Sequence, residues 1–125
     1  MTDSRRREIA YVYMRSKAQR EPFDLSNEGR LRGMAKSLGV PTSKLVEAAV
    51  HLNDPGALAD PGTVQRVGRV CLLYMQHRIR VKGLEINHKL RRKIGGISRD
   101  TGIPKTELNH LAAEFGSLAA YHYLR

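Results

Sequence analysis

Apolar residues recur every three or four positions along most of this chain, which is the spacing of one face of an α-helix. A first helix is predicted from about Ser4 to Arg20, and a similar one from near Thr63 to Lys82. Thr63 follows a Pro-Gly pair and is expected to cap the second of these helices. The residues predicted to face the core are Ile9, Val12, Tyr13 and Ser16 in the first helix, and Val64, Val67, Cys71, Tyr74 and Met75 in the second. No segment alternates with a period of two, so no sheet is expected.

This pattern is part of an internal repeat. Tyr13-Met14 recurs as Tyr74-Met75, 61 residues later, and after a slip of two positions the spacing becomes 63. The pairs at the longer spacing are Gly33 and Gly96, Gly39 and Gly102, Pro41 and Pro104, Leu45 and Leu108, and Ala49 and Ala112. Each copy covers about fifty residues. The stretch between the copies, residues 54–62, contains two Pro-Gly pairs and is typical of a connector.

Each copy is predicted to hold two further helices after its first one. Glycine supplies the positive φ with which helices commonly end, and proline is favoured in the first turn of a helix. Serine and asparagine are good caps for helix N-termini. These residues stand at equivalent places, namely Ser26 and Asn87 before the second helices, Gly39 and Gly102 at their ends, and Pro41 and Pro104 at the start of the third helices.

The second and third helices carry the spacing of a helix-turn-helix motif. In the first copy the small Ala35 allows the helices to cross closely, Gly39 makes the turn, and Val40 fills the corner. The core and turn positions are Leu31, Met34, Ala35, Leu38, Gly39, Val40, Leu45 and Ala48 in the first copy, and Ile94, Ile97, Ser98, Gly102, Ile103, Leu108 and Leu111 in the second. Over about twenty residues per copy, this pattern resembles the helix-turn-helix superfamily of repressors, resolvases and related regulators. Residues 101–111 (TGIPKTELNHL) also resemble resolvase-like and pipsqueak-like motifs.

The resemblance implies an all-α protein of two tandem three-helix helix-turn-helix units, packed as one compact helical protein with no sheet. We expect a first unit over residues 1–53, a connector over 54–62, and a second unit with a C-terminal helix over 63–125. The resemblance also implies that the third helices bind in the major groove of double-stranded DNA. Such a protein would be a repressor, another transcriptional regulator or a DNA-binding accessory factor, of a kind that suits mobile elements.

The charge of the chain favours the same partner. Lys and Arg number 22 against 12 Asp and Glu, which gives a net charge of +10. Residues 1–62 carry a net charge of +2, whereas residues 63–125 carry +8. A soluble chain of this size with so large an excess of positive charge is expected to bind a polyanion.

The outward residues of the third helices are the candidates for DNA contact. Asn109 is able to pair bidentately with adenine, and Lys105 to reach guanine or phosphate. Threonine and serine near a helix N-terminus suit phosphate oxygens. Glu47 would face the polyanion in the first copy, so the second copy is the stronger candidate, and Val46 lies at the margin of the outward face. The residues predicted to contact DNA are Thr42, Ser43, Lys44, Lys89, Arg91, Arg92, Lys93, Arg99, Lys105, Thr106, Asn109 and His110.

Chemistry other than binding is not predicted. Glu85 and His88 share an E-x-x-H spacing with Glu107 and His110, but the further ligands that a metal site needs are missing. We therefore expect neither a metal ion nor another cofactor. No nucleophile stands at an interpretable spacing from a base, so an enzyme is not expected.

The single Cys71 lies among apolar residues and is predicted to be a buried thiol in a reducing compartment. No apolar run approaches the ~20 residues of a membrane span, and the first residues, MTDSRRRE, lack the apolar stretch of a secretion signal. We expect a cytoplasmic, nucleoid-associated protein with no membrane partner. Two other functions stay open, an RNA- or ribosome-associated basic helical protein and a protein-interaction module, and so does self-association into a homo-oligomer.

Overall fold

The computed structural model describes residues 2–82, 95, 96, 98–111 and 114, and these residues form helices joined by turns, with no strand among them. Four helices have defined bounds: α1 (Asp3–Arg20), α2 (Glu28–Leu38), α3 (Thr42–Asn53) and α4 (Pro61–Lys82). Residues 98–101 and 105–111 are helical as well. The all-helical prediction is confirmed for this part of the chain.

Contacts divide the chain into two compact units, Met1–Tyr74 and Met75–Arg125. This division lies inside α4, so the connector and the first half of α4 belong to the first unit. The sequence pattern instead placed a boundary at residues 54–62. The arrangement as two tandem helix-turn-helix units, with the boundaries given above, stays a prediction.

Helix α1 is buried on more sides than the sequence indicated. Ile9 is buried as predicted, but Val12, Tyr13 and Ser16 are only half-buried. The other fully buried residues of the helix are Ala10, Tyr11, Met14 and Ala18. The prediction of a single stripe was wrong because α1 packs against α3 and also meets α4, so its buried positions cannot lie on one face alone.

Helix α2 begins one residue later than the predicted cap. The side chain of Asn27 accepts a hydrogen bond from the backbone N–H of Arg30 at 3.0 Å and is the N-cap. The predicted cap, Ser26, instead donates its N–H and hydroxyl to Oδ1 of Asp24, at 2.9 and 2.6 Å. An aspartate two residues earlier therefore holds Ser26 in a turn before the helix. The equivalent prediction for Asn87 lies outside the described residues.

The turn between α2 and α3 has the predicted glycine at its centre. Gly39 adopts φ 70° and ψ 30°, the left-handed region that favours glycine. The N–H of Gly39 donates to the carbonyl of Lys36 at 3.2 Å, and the N–H of Val40 donates to that of Ala35 at 3.0 Å. This pair of bonds is a Schellman motif, which satisfies the last carbonyls of α2. Pro41 precedes α3 as its N-cap rather than standing in its first turn, and its carbonyl accepts from the N–H of Leu45 at 3.2 Å.

The hairpin of α2 and α3 closes over a small apolar core. Ala35 and Leu38 of α2 are buried against Leu45 of α3. Half-buried residues surround these three, and they come from α2, the turn and α4: Leu31, Met34, Val40, Val70, Leu73 and Tyr74. The predicted core of the first motif is thus present, and α4 covers it.

Helix α4 starts two residues before the predicted cap. Asp60 accepts hydrogen bonds from the N–H and the hydroxyl of Thr63, at 3.2 and 2.6 Å, and Pro61 is the first helical residue. Thr63 was predicted as the cap, but it lies inside the first turn because an aspartate before Pro61 satisfies its N–H. The two hydrogen bonds from Thr63 also lower the pKa of Asp60.

Helices α1 and α4 meet at equivalent positions of the repeat. The side-chain amide of Gln65 donates to the carbonyl of Ser4 at 3.0 Å, and these residues are 61 positions apart. Three residues further along both helices, a Cβ added at Gly68 would lie 2.4 Å from the carbonyl oxygen of Arg7. Both contacts advance together, so α1 and the first half of α4 run in the same direction.

The turn at Gly102 in the second unit shares part of the hydrogen bonding of the turn at Gly39, but the N–H of Ile103 donates to the hydroxyl oxygen of Thr101, whereas that of Val40 donates to the carbonyl of Ala35. Gly102 has φ 75°, and its N–H donates to the carbonyl of Ser98 at 2.9 Å, as Gly39 does to Ala35. The carbonyl of Pro104 accepts from the N–H of Leu108 at 3.2 Å, as that of Pro41 does from Leu45. The buried residues described in this unit are Ile103, Leu108 and Leu111, whereas Ile94 and Ile97 lie outside the described residues.

Ser98 and Thr101, which replace Ala35 and Leu38 of the first copy, are used within this turn. The hydroxyl of Ser98 donates to the carbonyl of Ile103 at 2.6 Å. The hydroxyl oxygen of Thr101 accepts from the N–H of Ile103 at 3.3 Å. The more polar core of the second copy thus carries side chains whose hydroxyls bond to the turn itself.

Candidate nucleic-acid interface

Helix α3 has a buried side and an opposite side that faces solvent. Leu45, Ala48, Ala49 and Leu52, at the spacing of one helix face, are buried. The opposite positions are exposed or half-exposed, and we refer to them as the outer face of α3: Ser43, Val46, Glu47 and Val50. Among the predicted contact residues of this copy, Ser43 and Lys44 are exposed and Thr42 is half-buried.

The carboxylate of Glu47 is held by two cations. Its Oε2 lies 3.7 Å from Nζ of Lys44, one turn earlier on α3, and its Oε1 lies 3.2 Å from Nε of Arg66 on α4. All three side chains are about half exposed. The negative charge that weighed against this copy is therefore balanced locally by Lys44 and Arg66.

Arg66 is the residue of this surface that the sequence did not point to. The spacing of Val64, Val67 and Cys71 places Arg66 away from the buried stripe of α4, which is a signal that it is exposed. The spacing of these apolar residues does not indicate which helix lies beside Arg66. The contact with Glu47 follows from the packing of α4 on the hairpin.

A polar network on the other side of α3 fixes the helix to α1. The hydroxyl of the buried Tyr11 lies 2.6 Å from Nε2 of His51 and accepts a hydrogen bond from Arg15, also at 2.6 Å. Arg15 donates further to the carbonyl of Ala57 in the connector at 2.7 Å. The network joins α1, α3 and the connector, so it sets the position from which the outer face of α3 points to solvent.

Burial dominates the ionisation of this network. It raises the pKa of Tyr11, against the opposing effect of Arg15. It also lowers the pKa of His51, and the guanidinium groups of Arg15 and Arg66 lower that pKa further. In the neutral tautomer of His51 whose Nε2 carries no proton, the hydroxyl of Tyr11 donates to Nε2 while it accepts from Arg15.

Asn53 ties the end of α3 to the segment before α2. Its Oδ1 accepts from the N–H of Phe23 at 2.8 Å, and its Nδ2 donates to the carbonyl of Phe23 at 2.9 Å. The side-chain amide of Gln19 also donates to the carbonyl of Leu52 at 3.2 Å. Both ends of α3 are therefore held, the first by the turn at Gly39 and the second by these amides.

The helical segment 105–111 in the second unit also has one buried side. Leu108 and Leu111 are buried, and the predicted contact residues are exposed, namely Arg99, Lys105, Thr106, Asn109 and His110. Nε2 of His110 lies 3.2 Å from Oε1 of Glu114. The remaining predicted contact residues, Lys89, Arg91, Arg92 and Lys93, lie outside the described residues.

No group of three His, Cys, Asp or Glu residues with the arrangement of a metal site occurs among the described residues. The thiol of Cys71 is buried, and burial raises its pKa to about 12. Among the helices that the structure describes, none has the length and apolar character needed to cross a membrane.

Comparison with known proteins adds no relative. No protein-family model, curated protein or solved structure matches this chain significantly. The described residues are helices and turns, with two glycine turns of positive φ, each followed by a helix that exposes polar and charged side chains.

Proposed function

We propose that this protein binds double-stranded DNA through two helix-turn-helix units and acts as a transcriptional regulator or a DNA-binding accessory factor. The observation that carries the proposal is the recurrence of one turn, with positive φ at Gly39 and at Gly102, each before a helix with an exposed outer side. The net charge of +10 supports a polyanionic partner. The turns alone, or the charge alone, would favour DNA less strongly than the two together.

In this proposal the first turns of α3 and of segment 105–111 approach the major groove. Ser43 and Thr106 are exposed near the start of each helix, where hydroxyls and backbone N–H groups suit phosphate oxygens. Asn109, also exposed, would pair with the N6 and N7 atoms of an adenine. Lys105 would contact guanine or phosphate at the same end of its helix.

The first test is selection of bound duplexes from a random pool, followed by binding measured over a range of salt concentrations. Counterion release predicts that the logarithm of the affinity falls linearly and steeply with the logarithm of the salt concentration. Asn109→Ala should relax the preference at one base pair, whereas Arg92→Ala should weaken all sequences about equally. Lys17→Ala, which removes an exposed cation of α1, is the control for a general loss of charge.

Three results would contradict the proposal. The first is an affinity that does not change with salt. The second is a selected pool with no common sequence. The third is tighter binding of duplex RNA than of DNA of the same sequence, since that result would assign the chain to RNA.

A further inference from the structure

The hydroxyl of Tyr11 joins α1 to α3 through two hydrogen bonds. Its oxygen lies 2.6 Å from Nη1 of Arg15 and 2.6 Å from Nε2 of His51, and the ring centroids of Tyr11 and His51 are 5.5 Å apart. A guanidinium can only donate, so the hydroxyl accepts from Arg15 and has its own proton left for Nε2. The bond between the two helices therefore requires a His51 whose Nε2 carries no proton.

A protonated His51 does not fit this arrangement. Both ring nitrogens of an imidazolium are donors, so Nε2 would direct a second charged donor at the oxygen that already accepts from Arg15. Arg15 is held in place, because its Nη2 donates to the carbonyls of Ala57 at 2.7 Å and of Pro55 at 3.4 Å. The repulsion between the two cations is therefore relieved when His51 moves away from Tyr11.

The other charged groups around His51 do not remove this repulsion. Burial lowers the pKa of His51, as do Arg15 and Arg66, and the two carboxylates that raise it have smaller effects. By linkage, protonation of such a group favours the conformation in which it is exposed to water. The titratable and charged groups that face His51 are Tyr11 and Arg15 of α1, Asp54 just after α3, Asp60 just before α4, and Arg66 of α4.

We propose that protonation of His51 releases the end of α3 from α1 and so weakens the binding of DNA by the first unit in mild acid. The inference rests on the proposed binding of duplex DNA and adds its regulation by pH. The position of α3 matters to the outer face because Arg66 of α4 pairs there with Glu47, and α4 is itself packed on α1. Release would leave a smaller fraction of molecules with α3 in the position that binds, and the affinity falls by that fraction.

The direction of this effect is opposite to that of charge alone. Protonated histidines add positive charge, which strengthens the binding of a polyanion as the pH falls. A loss of affinity in acid would therefore not follow from the net charge. It requires a group whose protonation disturbs the fold of the binding unit.

The test measures the affinity of the full-length protein for a selected duplex, at constant salt, over a series from pH 8 to pH 5. The affinity should fall by roughly fivefold as the pH decreases from 6.5 through the folded-state pKa of His51, the factor that corresponds to one hydrogen bond. His51→Gln does not titrate but retains an acceptor for the hydroxyl of Tyr11, so its affinity should not fall. His77→Gln is the matched control, because it removes a histidine of α4 and should keep the fall of the wild type.

Amide hydrogen exchange of the free protein gives a second readout that does not depend on DNA. After correction for the intrinsic effect of pH, the last turn of α3 should lose protection in mild acid in the wild type but not in His51→Gln. Protection that does not change with pH would overturn the release of α3. Unfolding of the whole protein by pH 5.5, seen by circular dichroism, would overturn it as well, since the change would then not be local to α3.

The binding measurements separate this inference from the proposed function. Salt-dependent duplex binding whose affinity is constant or rises in acid would overturn the inference and leave the proposed function standing. An equal fall in His51→Gln would have the same meaning. Absence of salt-dependent duplex binding at pH 7.5 would overturn both.

Discussion

Glu47 lies on the outer face of α3 but carries the charge that DNA would repel. Its pairs with Lys44 and Arg66 are half exposed, so they contribute roughly 0–1 kcal/mol to stability. Glu47→Gln is therefore expected to leave the fold intact and to release both cations for phosphates. Duplex affinity should rise severalfold at low salt, and the salt dependence should steepen by roughly one phosphate equivalent. Fluorescence anisotropy over a series of salt concentrations measures both changes.

The control for that variant is Glu21→Gln, which removes an exposed carboxylate just beyond the end of α1. It changes the net charge by the same amount but lies outside the outer face of α3. An equal gain in affinity for the two variants would mean that only the net charge matters. No gain for Glu47→Gln would mean that α3 does not meet DNA.

His51 predicts a loss of stability in mild acid. Its pKa lies below the ordinary 6.5, since half-burial and the nearby guanidinium of Arg15 disfavour the charged form. Between the folded-state pKa and 6.5, the unfolded chain binds more protons than the folded one. This contribution to stability is therefore complete above pH 6.5 and is lost as the pH falls from 6.5 through the folded-state pKa. Urea unfolding at pH 7.5 and 5.5 should show the loss.

His51→Gln tests the assignment, because glutamine does not titrate but retains an acceptor for the hydroxyl of Tyr11. The difference between the two pH values should shrink in this variant. A wild-type protein that gains stability on acidification, or a variant with an unchanged pH dependence, would contradict the neutral state of His51.

At the scale of elements, α1 and α4 approach each other closely at Gly68. A Cβ there would lie 2.4 Å from the carbonyl oxygen and 2.9 Å from the carbonyl carbon of Arg7, both of them backbone atoms. Gly68→Ala must therefore separate the helices. This cost exceeds the gain of roughly 1 kcal/mol that alanine brings to a helix interior. We expect a net loss of roughly 1–3 kcal/mol in the free energy of unfolding, measured with urea.

Gly33→Ala is the matched control within α2. A Cβ at Gly33 would meet nothing within 4 Å, so alanine there should stabilise the protein by roughly 0.5–1 kcal/mol. Opposite signs at the two glycines would support the close packing of α1 on α4. A gain in stability from both substitutions would contradict it.

The turns and helix ends that the sequence predicted depend on residues that are neighbours in the chain. The turn at Gly39 followed from a glycine and a proline that act on their own neighbourhood. The caps of α2 and α4 were misplaced by one and three residues. In each case an aspartate or asparagine competed with the serine or threonine chosen, and the sequence does not say which side chain reaches the free N–H. The burial of α1 could not be predicted because it depends on which helices pack around it.

The candidate site on α3 could be predicted from the sequence only as far as positions within one helix. The positions of Ser43 and Lys44 on the exposed part of α3 follow from helical periodicity. The pairing of Glu47 with Arg66, and of Tyr11 with His51, joins residues of different helices. Such contacts depend on how the helices pack, and no spacing along the chain encodes them.

For the whole molecule, the repeat means that equivalent positions can be compared directly. Ser43, Val46 and Glu47 of the first copy correspond to Thr106, Asn109 and His110 of the second. The first copy thus presents an apolar and an acidic side chain where the second presents hydrogen-bonding ones. If both bind DNA, the two half-sites should differ in sequence even though both turns have a glycine with positive φ.

This difference predicts the result of transferring one copy's residues to the other. The double substitution Val46→Asn with Glu47→His gives α3 the side chains that the second copy exposes. Asparagine pairs bidentately with adenine, so the duplexes selected by this variant should gain an adenine in the half-site of the first copy, and the two half-sites should become alike. The exchanged Asn109→Val with His110→Glu should remove the preference from the other half-site. Selection that gives the same sequences for wild type and both variants would contradict base recognition by these helices, provided that circular dichroism shows each variant to be folded.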